Sequence, residues 1–300
     1  MGGHAVDLEA AIGRWTDVLL GQGYCIIPEL LPGETIAALD GDLAADFAET
    51  PFCKGGFYGA RTKRFGRLLV RSALARKMVQ HELVLGIVRR VLSPWCDTVQ
   101  LNLTQALALH PGAPPQLPHR DQDMWRGAIG ETEYLVNVMW PFTRYTRENG
   151  ATLIWPDSHG RRALDPEPPA QGEFPVELEP GSALLFLGST LHGAGGNASN
   201  EVRRGAIVSY CLGWLKPYEN QWLAYPPEVA RDFSPELAAL VGYQQHRPNL
   251  GNYEGQCPSV LLRGDIPERF AATDALRPDQ EALVARFVRE QDWPRHSAAA

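Results

Sequence analysis

A histidine and two acidic residues stand at alternate positions in the stretch LPHRDQDMW, as His119, Asp121 and Asp123. In an extended segment, side chains two positions apart point to the same face, so His119 and Asp121 can reach one metal ion from one short piece of backbone. Asp123 shares the alternation and is a rival for Asp121, but it is further from His119 along the chain. Alone, a His-x-Asp pattern more often marks a solvated strand or loop, so a metal site requires a third ligand from elsewhere.

The best candidate for that third ligand is His192 in the stretch FLGSTLHGAGGNAS. It ends a predicted apolar strand, and the glycines after it let backbone approach a site closely. His110 and His159 are competitors, but they lie at a strand end and in a turn, where structural hydrogen bonding explains a histidine. Two imidazoles and one carboxylate leave three positions of an ion open, which is the ligand set of non-haem Fe(II) oxygenases. The pattern therefore predicts a metal site built from His192 with the pair His119 and Asp121.

The composition favours a single globular domain and excludes some partners. The chain has 300 residues, 44% of them hydrophobic, which is enough for one sizeable core. The formal net charge is −7, and the basic residues are scattered, so we expect no nucleic-acid partner. The start of the chain lacks a signal-peptide pattern, and no segment reaches roughly 18 uncharged apolar residues, so we expect a cytoplasmic protein without a membrane partner.

The spacing of hydrophobic residues changes along the chain, and this spacing predicts the helices and strands that must hold the site. Residues 1–95 are predicted to be mainly helical, although GGFYGARTKRFGRLLVRS has no clean period and is predicted to be a loop. From Thr98 the period is two, and in TVQLNLTQALAL the apolar residues stand at odd positions, which is typical of a strand with one face on a core. The other strand candidates, separated by turn residues, are YLVNVMW, ATLIW, FPVELEP, SALLFL and RGAIVSYCLGW. Successive short strands without intervening helices indicate a sandwich or barrel.

Four stretches carry a specific family resemblance: QLPHRDQDMW, ENGATLIWPDSHG, EPGSALLF and LHGAGGNASNEVRR. In order and approximate spacing they resemble the phytanoyl-CoA dioxygenase family of Fe(II)/2-oxoglutarate-dependent oxygenases, from about Leu19 to Trp214. The resemblance implies a mainly β fold with flanking helices, a double-stranded β-helix (jelly roll, cupin-like). It also implies a metal triad of His119, Asp121 and His192. We expect one oxygenase domain over 1–300, with a helical part at about 1–95, a jelly-roll core at about 97–215 and a helical or loop extension at about 216–300.

The resemblance also implies an arginine that binds the 2-oxoglutarate carboxylate, on the strand after the distal histidine. Arg203 stands at the usual offset from His192, and a guanidinium suits the role because its planar fork binds a carboxylate through two parallel hydrogen bonds. Arg204 would point to the opposite face of the strand, so only one of the pair can do this. Arg203 is favoured, although a register slip of one residue would reverse the choice.

Three further residues are candidates with two interpretations each. Gln116 resembles a family position that often assists 2-oxoglutarate, or it is a turn residue. Asn137 alternates with Val136 and Val138, so it either lines the barrel as a second cofactor-binding candidate or faces water. Trp125 offers rigid apolar area for a substrate pocket, or it is an ordinary core aromatic.

The resemblance implies a dioxygenase that uses Fe(II), O₂ and 2-oxoglutarate, with release of succinate and CO₂. We expect hydroxylation, desaturation or ring closure of a small, largely apolar molecule, because the tail YCLGWLKPYENQWLAYPPEVA resembles members associated with specialised metabolites. Related halogenases carry a small residue at the carboxylate position, so Asp121 predicts no halogenation. The alternatives are a cupin-type metal-dependent isomerase or hydrolase and a non-enzymatic jelly-roll binding module.

Overall fold

The protein is described here from a computed structural model that covers residues 2–165, 167–264 and 266–291. In chain order the helices and strands are α1 (Gly2–Gln22), β1 (Tyr24–Ile27), α2 (Gly33–Asp42), α3 (Ala44–Glu49), β2 (Thr62–Phe65), α4 (Leu68–Arg71), α5 (Ala73–Val79), α6 (Glu82–Leu92), β3 (Val99–Leu109), β4 (Leu135–Pro141), β5 (Thr152–Ile154), β6 (Phe174–Val176), β7 (Ala183–Leu187), β8 (His192–Ala194), β9 (Arg203–Leu212), α7 (Gln221–Ala224), α8 (Pro227–Ala230), α9 (Pro235–Leu240) and α10 (Pro278–Glu290). The helices in these ranges are all too short or too polar to cross a membrane.

Two antiparallel sheets form the centre of the molecule. The larger sheet has the strand order β1-β7-β4-β9-β3-β2, and the smaller has the order β6-β5-β8. They face each other across a layer of buried apolar side chains that includes Leu107, Phe186 and Ile207 from the large sheet and Ile154 and Val176 from the small one. Two sheets packed face to face through alternating inward residues are a jelly-roll arrangement, so the predicted fold class is confirmed.

Helices cover the other face of the large sheet. Helix α6 presents Val84, Ile87, Val88 and Val91 at the three- and four-residue spacing of one helix face, and all four are buried. Helix α1 packs against α6 and β1. A cavity against the large sheet can therefore form only on its other face, in the space between the two sheets.

The sequence predicted that the alternating apolar residues of β3 all face the same side of the sheet. This prediction is wrong, because the face changes within the strand. Asn102 is an extra residue in the pairing of β3 with β9, because Leu101 and Leu103 lie opposite consecutive residues of β9. Such a bulge reverses the alternation. As a result Leu101 faces the helices, whereas Leu107 and Leu109 face the small sheet.

The segment predicted as a loop at GGFYGARTKRFGRLLVRS contains strand β2 and helix α4, so that prediction is wrong. Strand β2 pairs antiparallel with β3 at the edge of the large sheet. Its side chains still alternate: Lys63 donates to the carbonyls of Phe47 and Ala48 at 2.8 and 2.9 Å, while Arg64 turns to the inner face. The pattern was invisible because long basic side chains occupy positions that are apolar in an ordinary strand.

Candidate active site

The side chains of His119, Asp121 and His192 converge at one edge of the space between the sheets. Their potential ligand atoms all lie within 4.8 Å of one another. His119 and His192 are held side by side by an isolated β-bridge, in which each backbone N–H donates to the other's carbonyl at 2.9 and 3.0 Å. The backbone thus fixes the separation of the two imidazoles.

Asp121 reaches the cluster by a route that the sequence did not predict. It begins a 3₁₀ turn, Asp121–Met124, and is not part of an extended strand. The turn forms because Gln122 is buried and its backbone N–H donates to the carbonyl of Gly188 at 3.1 Å. The predicted strand end at His192 also differs, because His192 is the first residue of a separate strand, β8, and lies opposite Ile154 of β5.

Hydrogen bonds assign the tautomers of both histidines. The Nδ1 of His119 lies 2.8 Å from the carbonyl of Leu117, and the Nδ1 of His192 lies 3.0 Å from that of Thr190. A carbonyl only accepts hydrogen bonds, so each Nδ1 carries the proton. Both Nε2 atoms face the carboxylate of Asp121, at 3.4 and 3.5 Å from its oxygens, and each carries a lone pair when its ring is neutral. Neutral imidazoles in this orientation are the form that binds a metal.

The carboxylate of Asp121 is held ionised and oriented. Burial raises its pKa, but the neighbouring His192 and His119 and the amide of Asn137 lower it further, and the pKa falls to about 2. The Asn137 amide donates to Oδ2 at 2.9 Å. Asn137 is buried in β4 and faces the space between the sheets. Of the two orientations that the sequence left open, its side chain therefore lines the barrel and does not face water.

The rival ligands lie elsewhere. Asp123 is exposed on the 3₁₀ turn. The ring of His110 packs edge-on against Phe52, with ring centroids 4.9 Å apart, and Nε2 of His159 lies 2.8 Å from the carbonyl of Leu20. Each of these histidines therefore has a structural partner outside the cluster.

Arg203 projects into the same cavity from β9. Its side chain is 2% exposed, and its guanidinium lies 4.3 Å from the ring centre of Tyr145 and donates to the carbonyl of Gly150. Burial lowers the pKa of this arginine, and Tyr145 partly offsets the effect. Its Nε has no hydrogen-bond partner among the described residues. A buried guanidinium with a free donor facing a cavity is suited to bind a carboxylate.

Arg204 lies on the opposite face of β9. Its guanidinium is 2.5 Å from the carboxylate of Asp40 in α2 and 5.5 Å from the ring centre of Phe47. It therefore contacts the helical layer and not the cavity.

The cavity has a volume of about 100 Å³ and combines the polar groups above with apolar walls. Gln116 lines it and is fixed by a hydrogen bond from its backbone N–H to the carbonyl of Ala194 at 2.9 Å. Thr152 of β5 lines it as well, although the sequence did not single it out. Its apolar lining includes Leu103, Leu107, Met139, Phe186 and Ile207.

Trp125 is not among the lining residues, so its predicted role as a pocket wall is not supported. Its indole donates to the carbonyl of Lys216 at 2.9 Å, and its ring packs edge-on against Tyr134. Met124 lines the cavity instead. The 3₁₀ turn ends at Met124 and the backbone of Trp125 is extended, so the two side chains leave the chain in different directions.

The sequence analysis missed a second arginine in the cavity. Arg64 of β2 donates to the side-chain carbonyl of Gln105 at 3.1 Å, its guanidinium lies 5.2 Å from the ring centre of Tyr58, and its Nε has no partner within the described chain. The available signal was a basic run between aromatic residues in an acidic chain. Without the pairing of β2 with β3, nothing in the sequence says which of the basic side chains points inward.

Aromatic residues line the mouth of the cavity beside the candidate metal ligands. The ring of Phe57 packs edge-on against His119, with centroids 4.8 Å apart, and the hydroxyls of Tyr58 and Tyr218 are in contact. The backbone N–H of Tyr218 donates to the side chain of Asn102 at 2.7 Å, so the bulge of β3 also positions this part of the C-terminal segment.

These residues fit an iron ion and a dicarboxylate. Two neutral imidazoles and one carboxylate converge from one side, which leaves the opposite side of an ion accessible from the cavity. The buried guanidinium of Arg203 and the partly buried one of Arg64 each have an Nε without a hydrogen-bond partner among the described residues, and they supply positive charge for carboxylates in the same cavity.

The family is established by comparison of the sequence. The sequence model of the phytanoyl-CoA dioxygenase (PhyH) family matches residues 20–205, more than half of the chain. The protein belongs to this family. The predicted family and the predicted dioxygenase class are thereby confirmed, and the cluster of two histidines and one carboxylate supplies the ligand types of the predicted iron site.

Named relatives come from fungi. The chain is 31% identical over 189 residues to Dioxygenase trt7 of Aspergillus terreus, which covers 61% of this chain and 66% of that protein. It is 30% identical over 240 residues to Multifunctional dioxygenase ausE of Aspergillus calidoustus, covering 74% of this chain and 80% of the relative.

Solved structures with lower identity share the fold. The α-ketoglutarate-dependent epimerase SnoN from nogalamycin biosynthesis superposes with a TM-score of 0.58 at 18% identity, over 70% of this chain and 86% of SnoN. HygX from Streptomyces hygroscopicus, solved with nickel and 2-oxoglutarate, superposes with a TM-score of 0.53 at 13% identity, over 67% of this chain and 87% of HygX.

Proposed function

We propose that this dioxygenase oxidises a small, largely apolar organic molecule, a specialised metabolite, by hydroxylation, desaturation or ring closure. In the same turnover 2-oxoglutarate is converted to succinate and CO₂. One observation carries the proposal: the triad of His119, Asp121 and His192 and the buried guanidinium of Arg203 open onto one cavity.

Different polar residues of the cavity would bind the iron and the 2-oxoglutarate. His119, Asp121 and His192 would hold the iron, which when bound supplies the activation of O₂. Arg203 would bind one carboxylate of 2-oxoglutarate, with Gln116 beside it in the cavity wall. Asn137 keeps the carboxylate of Asp121 turned toward the two histidines.

The shape of the cavity supports an apolar substrate outside it. A volume of about 100 Å³ is small beside the roughly 300–1,000 Å³ of a pocket that encloses a drug-sized ligand. The cavity therefore suits 2-oxoglutarate, and the organic substrate binds at the mouth of the cavity. The side chains there are Phe57, Tyr58, Met124 and Tyr218, which offer mainly aromatic and apolar surface. Their task is to position a C–H bond over the metal site and to exclude water.

Two solved structures that share the fold support a natural-product substrate. They are an epimerase solved with Fe³⁺, α-ketoglutarate and nogalamycin RO and a protein solved with hygromycin B. These are small organic molecules of specialised metabolism. No feature of the cavity favours a macromolecular substrate.

The experiment is a turnover assay with a metabolite extract. The purified protein is incubated with Fe(II), 2-oxoglutarate and O₂, and the extract is compared by mass spectrometry with and without 2-oxoglutarate. We expect succinate and a metabolite that gains one oxygen or loses two hydrogens, and neither with the His192→Ala variant. An isomerase or hydrolase would act without 2-oxoglutarate, and a binding module would form no succinate, so either result contradicts the proposal.

A further inference from the structure

Helix α10 carries an apolar stripe that nothing in the described chain covers. Leu283, Val284, Phe287 and Val288 stand three and four residues apart on one face, and their side chains are between 43% and 62% exposed. No residue of α10 is buried in the part of the molecule that the structure describes.

A helix of this length needs a partner for its apolar face. It has 13 residues, and isolated helices shorter than about 12–15 residues are marginal in water. Contiguous exposed apolar side chains on one helix face mark an interaction surface. The flanking charges are mixed, with Glu281 and Glu290 beside Arg286 and Arg289, whereas helices that lie on membranes carry a mainly basic polar face. A protein surface is therefore the partner that fits.

A groove with mainly apolar walls lies on the same chain. It is separate from the active cavity and has a volume of about 370 Å³, and its apolar lining, beside several polar side chains, includes Trp214, Leu215, Trp222, Val241 and Leu250. Trp214 and Trp222 are 42% and 51% exposed. Large exposed aromatic side chains at a concave site are typical anchors of protein interfaces.

The two tryptophans are held in place in the absence of a partner. The indole of Trp214 donates to the carbonyl of Trp95 at 3.1 Å, and that of Trp222 donates to the carbonyl of Gly242 at 3.2 Å. These bonds satisfy the polar edge of each ring and leave the apolar face free. Because the rings are already ordered, a helix that binds them loses little side-chain entropy.

The chain runs past the rim of this groove just before α10 begins. Asn249 and Ala275 exchange hydrogen bonds, at 2.8 Å through the Asn249 side chain and at 3.1 Å between backbones. Asn249 is next to Leu250, which lines the groove. The helix nevertheless leaves its own groove uncovered, since its four apolar residues remain exposed.

We propose that α10 of one copy of the chain docks in the groove of a second copy, and that the exchange is reciprocal about a two-fold axis. Each chain carries both surfaces, and both are uncovered in the single chain, which is the condition for a symmetric exchange. A two-fold axis repeats each helix–groove contact, so the area buried in the dimer is twice that of a single contact. This inference concerns assembly and does not rest on the proposed function.

The first test is the molar mass of the full chain in solution, measured by light scattering after size-exclusion chromatography. We expect twice the 33.1 kDa of the chain for the wild type, and the monomer mass for Phe287→Glu. The matched control is Ala285→Glu, which places the same charge on the other side of the helix and should stay dimeric. Both variants introduce a good helix former at an exposed position, so circular dichroism should be unchanged. A monomeric wild type, or a dimeric Phe287→Glu variant, would overturn the proposal.

The second test asks which surface receives the helix. Trp222→Arg removes the groove wall, so it should also be monomeric. An equimolar mixture of Trp222→Arg and Phe287→Glu retains one intact helix and one intact groove and should form a heterodimer at high protein concentration. Packing of α10 against α10 would give a dimeric Trp222→Arg variant and no recovery in the mixture, and either result contradicts the exchange.

Discussion

Arg203 and Arg204 are consecutive residues of β9, and their guanidinium groups lie on opposite faces of the large sheet. Arg203 lies over the ring of Tyr145 inside the cavity, whereas Arg204 pairs with Asp40 of the helical layer. Strand alternation requires the pair to diverge, and the register with β3, in which Arg203 lies opposite Leu109, decides which of them points inward.

Arg203→Ala should raise the KM for 2-oxoglutarate about 10- to 100-fold, because it removes a charge-assisted carboxylate contact worth roughly 1.5–3 kcal/mol. Arg204→Ala is the matched control. It should leave this KM within about twofold and lower the free energy of unfolding by at most about 1 kcal/mol, since its ion pair is partly exposed. Succinate formation measured against 2-oxoglutarate concentration gives both values, and the reverse pattern would contradict the assignment.

His119→Ala and His192→Ala should each abolish binding of Fe(II) and turnover. Each removes one of two imidazoles whose Nε2 atoms face the Asp121 carboxylate, and the remaining ligands hold iron weakly. Anaerobic titration with metal analysis should show close to one Fe(II) per wild-type chain. Asp123→Ala is the control and should retain the iron, because this residue is exposed. Full activity in both histidine variants would place the site elsewhere.

Asn137→Ala should weaken iron binding about 10- to 100-fold, which is typical when the hydrogen bond that orients a metal ligand is lost. The amide donates to Asp121 at 2.9 Å, so the effect runs through the ligand. Equilibrium binding of Fe(II), measured without 2-oxoglutarate, separates this role from direct contact with the cosubstrate. Unchanged iron affinity with a raised KM for 2-oxoglutarate would show that Asn137 binds the cosubstrate instead.

Chloride should not enter the product of the wild-type enzyme, because Asp121 fills the coordination position that a halide would need. Asp121→Gly would empty that position but would also remove the negative charge that, with the two histidines, would hold the metal. We therefore expect mostly inactive protein, with at most traces of chlorinated product detectable by mass spectrometry. Chlorination by the wild type, or loss of iron in Asp123→Ala but not in Asp121→Gly, would contradict the ligand assignment.

The family and the candidate ligand set could be predicted from the sequence alone. A period of two over successive short stretches predicted the strands of the jelly roll, because alternation is a local property of a half-buried strand. The spacing of His119 and Asp121, the glycines after His192 and the family motifs were enough to name the three ligands that the structure brings together. The place of Arg203 followed from its offset to His192.

Which side chains face one another depends on how distant segments pack in three dimensions. The turn at Asp121 depends on a contact between Gln122 and Gly188, which are distant in sequence, and this turn places Met124 in the cavity in place of Trp125. The bulge at Asn102 reverses the faces of β3, and the pairing of β2 with β3 turns Arg64 inward. These outcomes depend on register and packing between separate segments, and a hydrophobic period read along one segment contains no information about them.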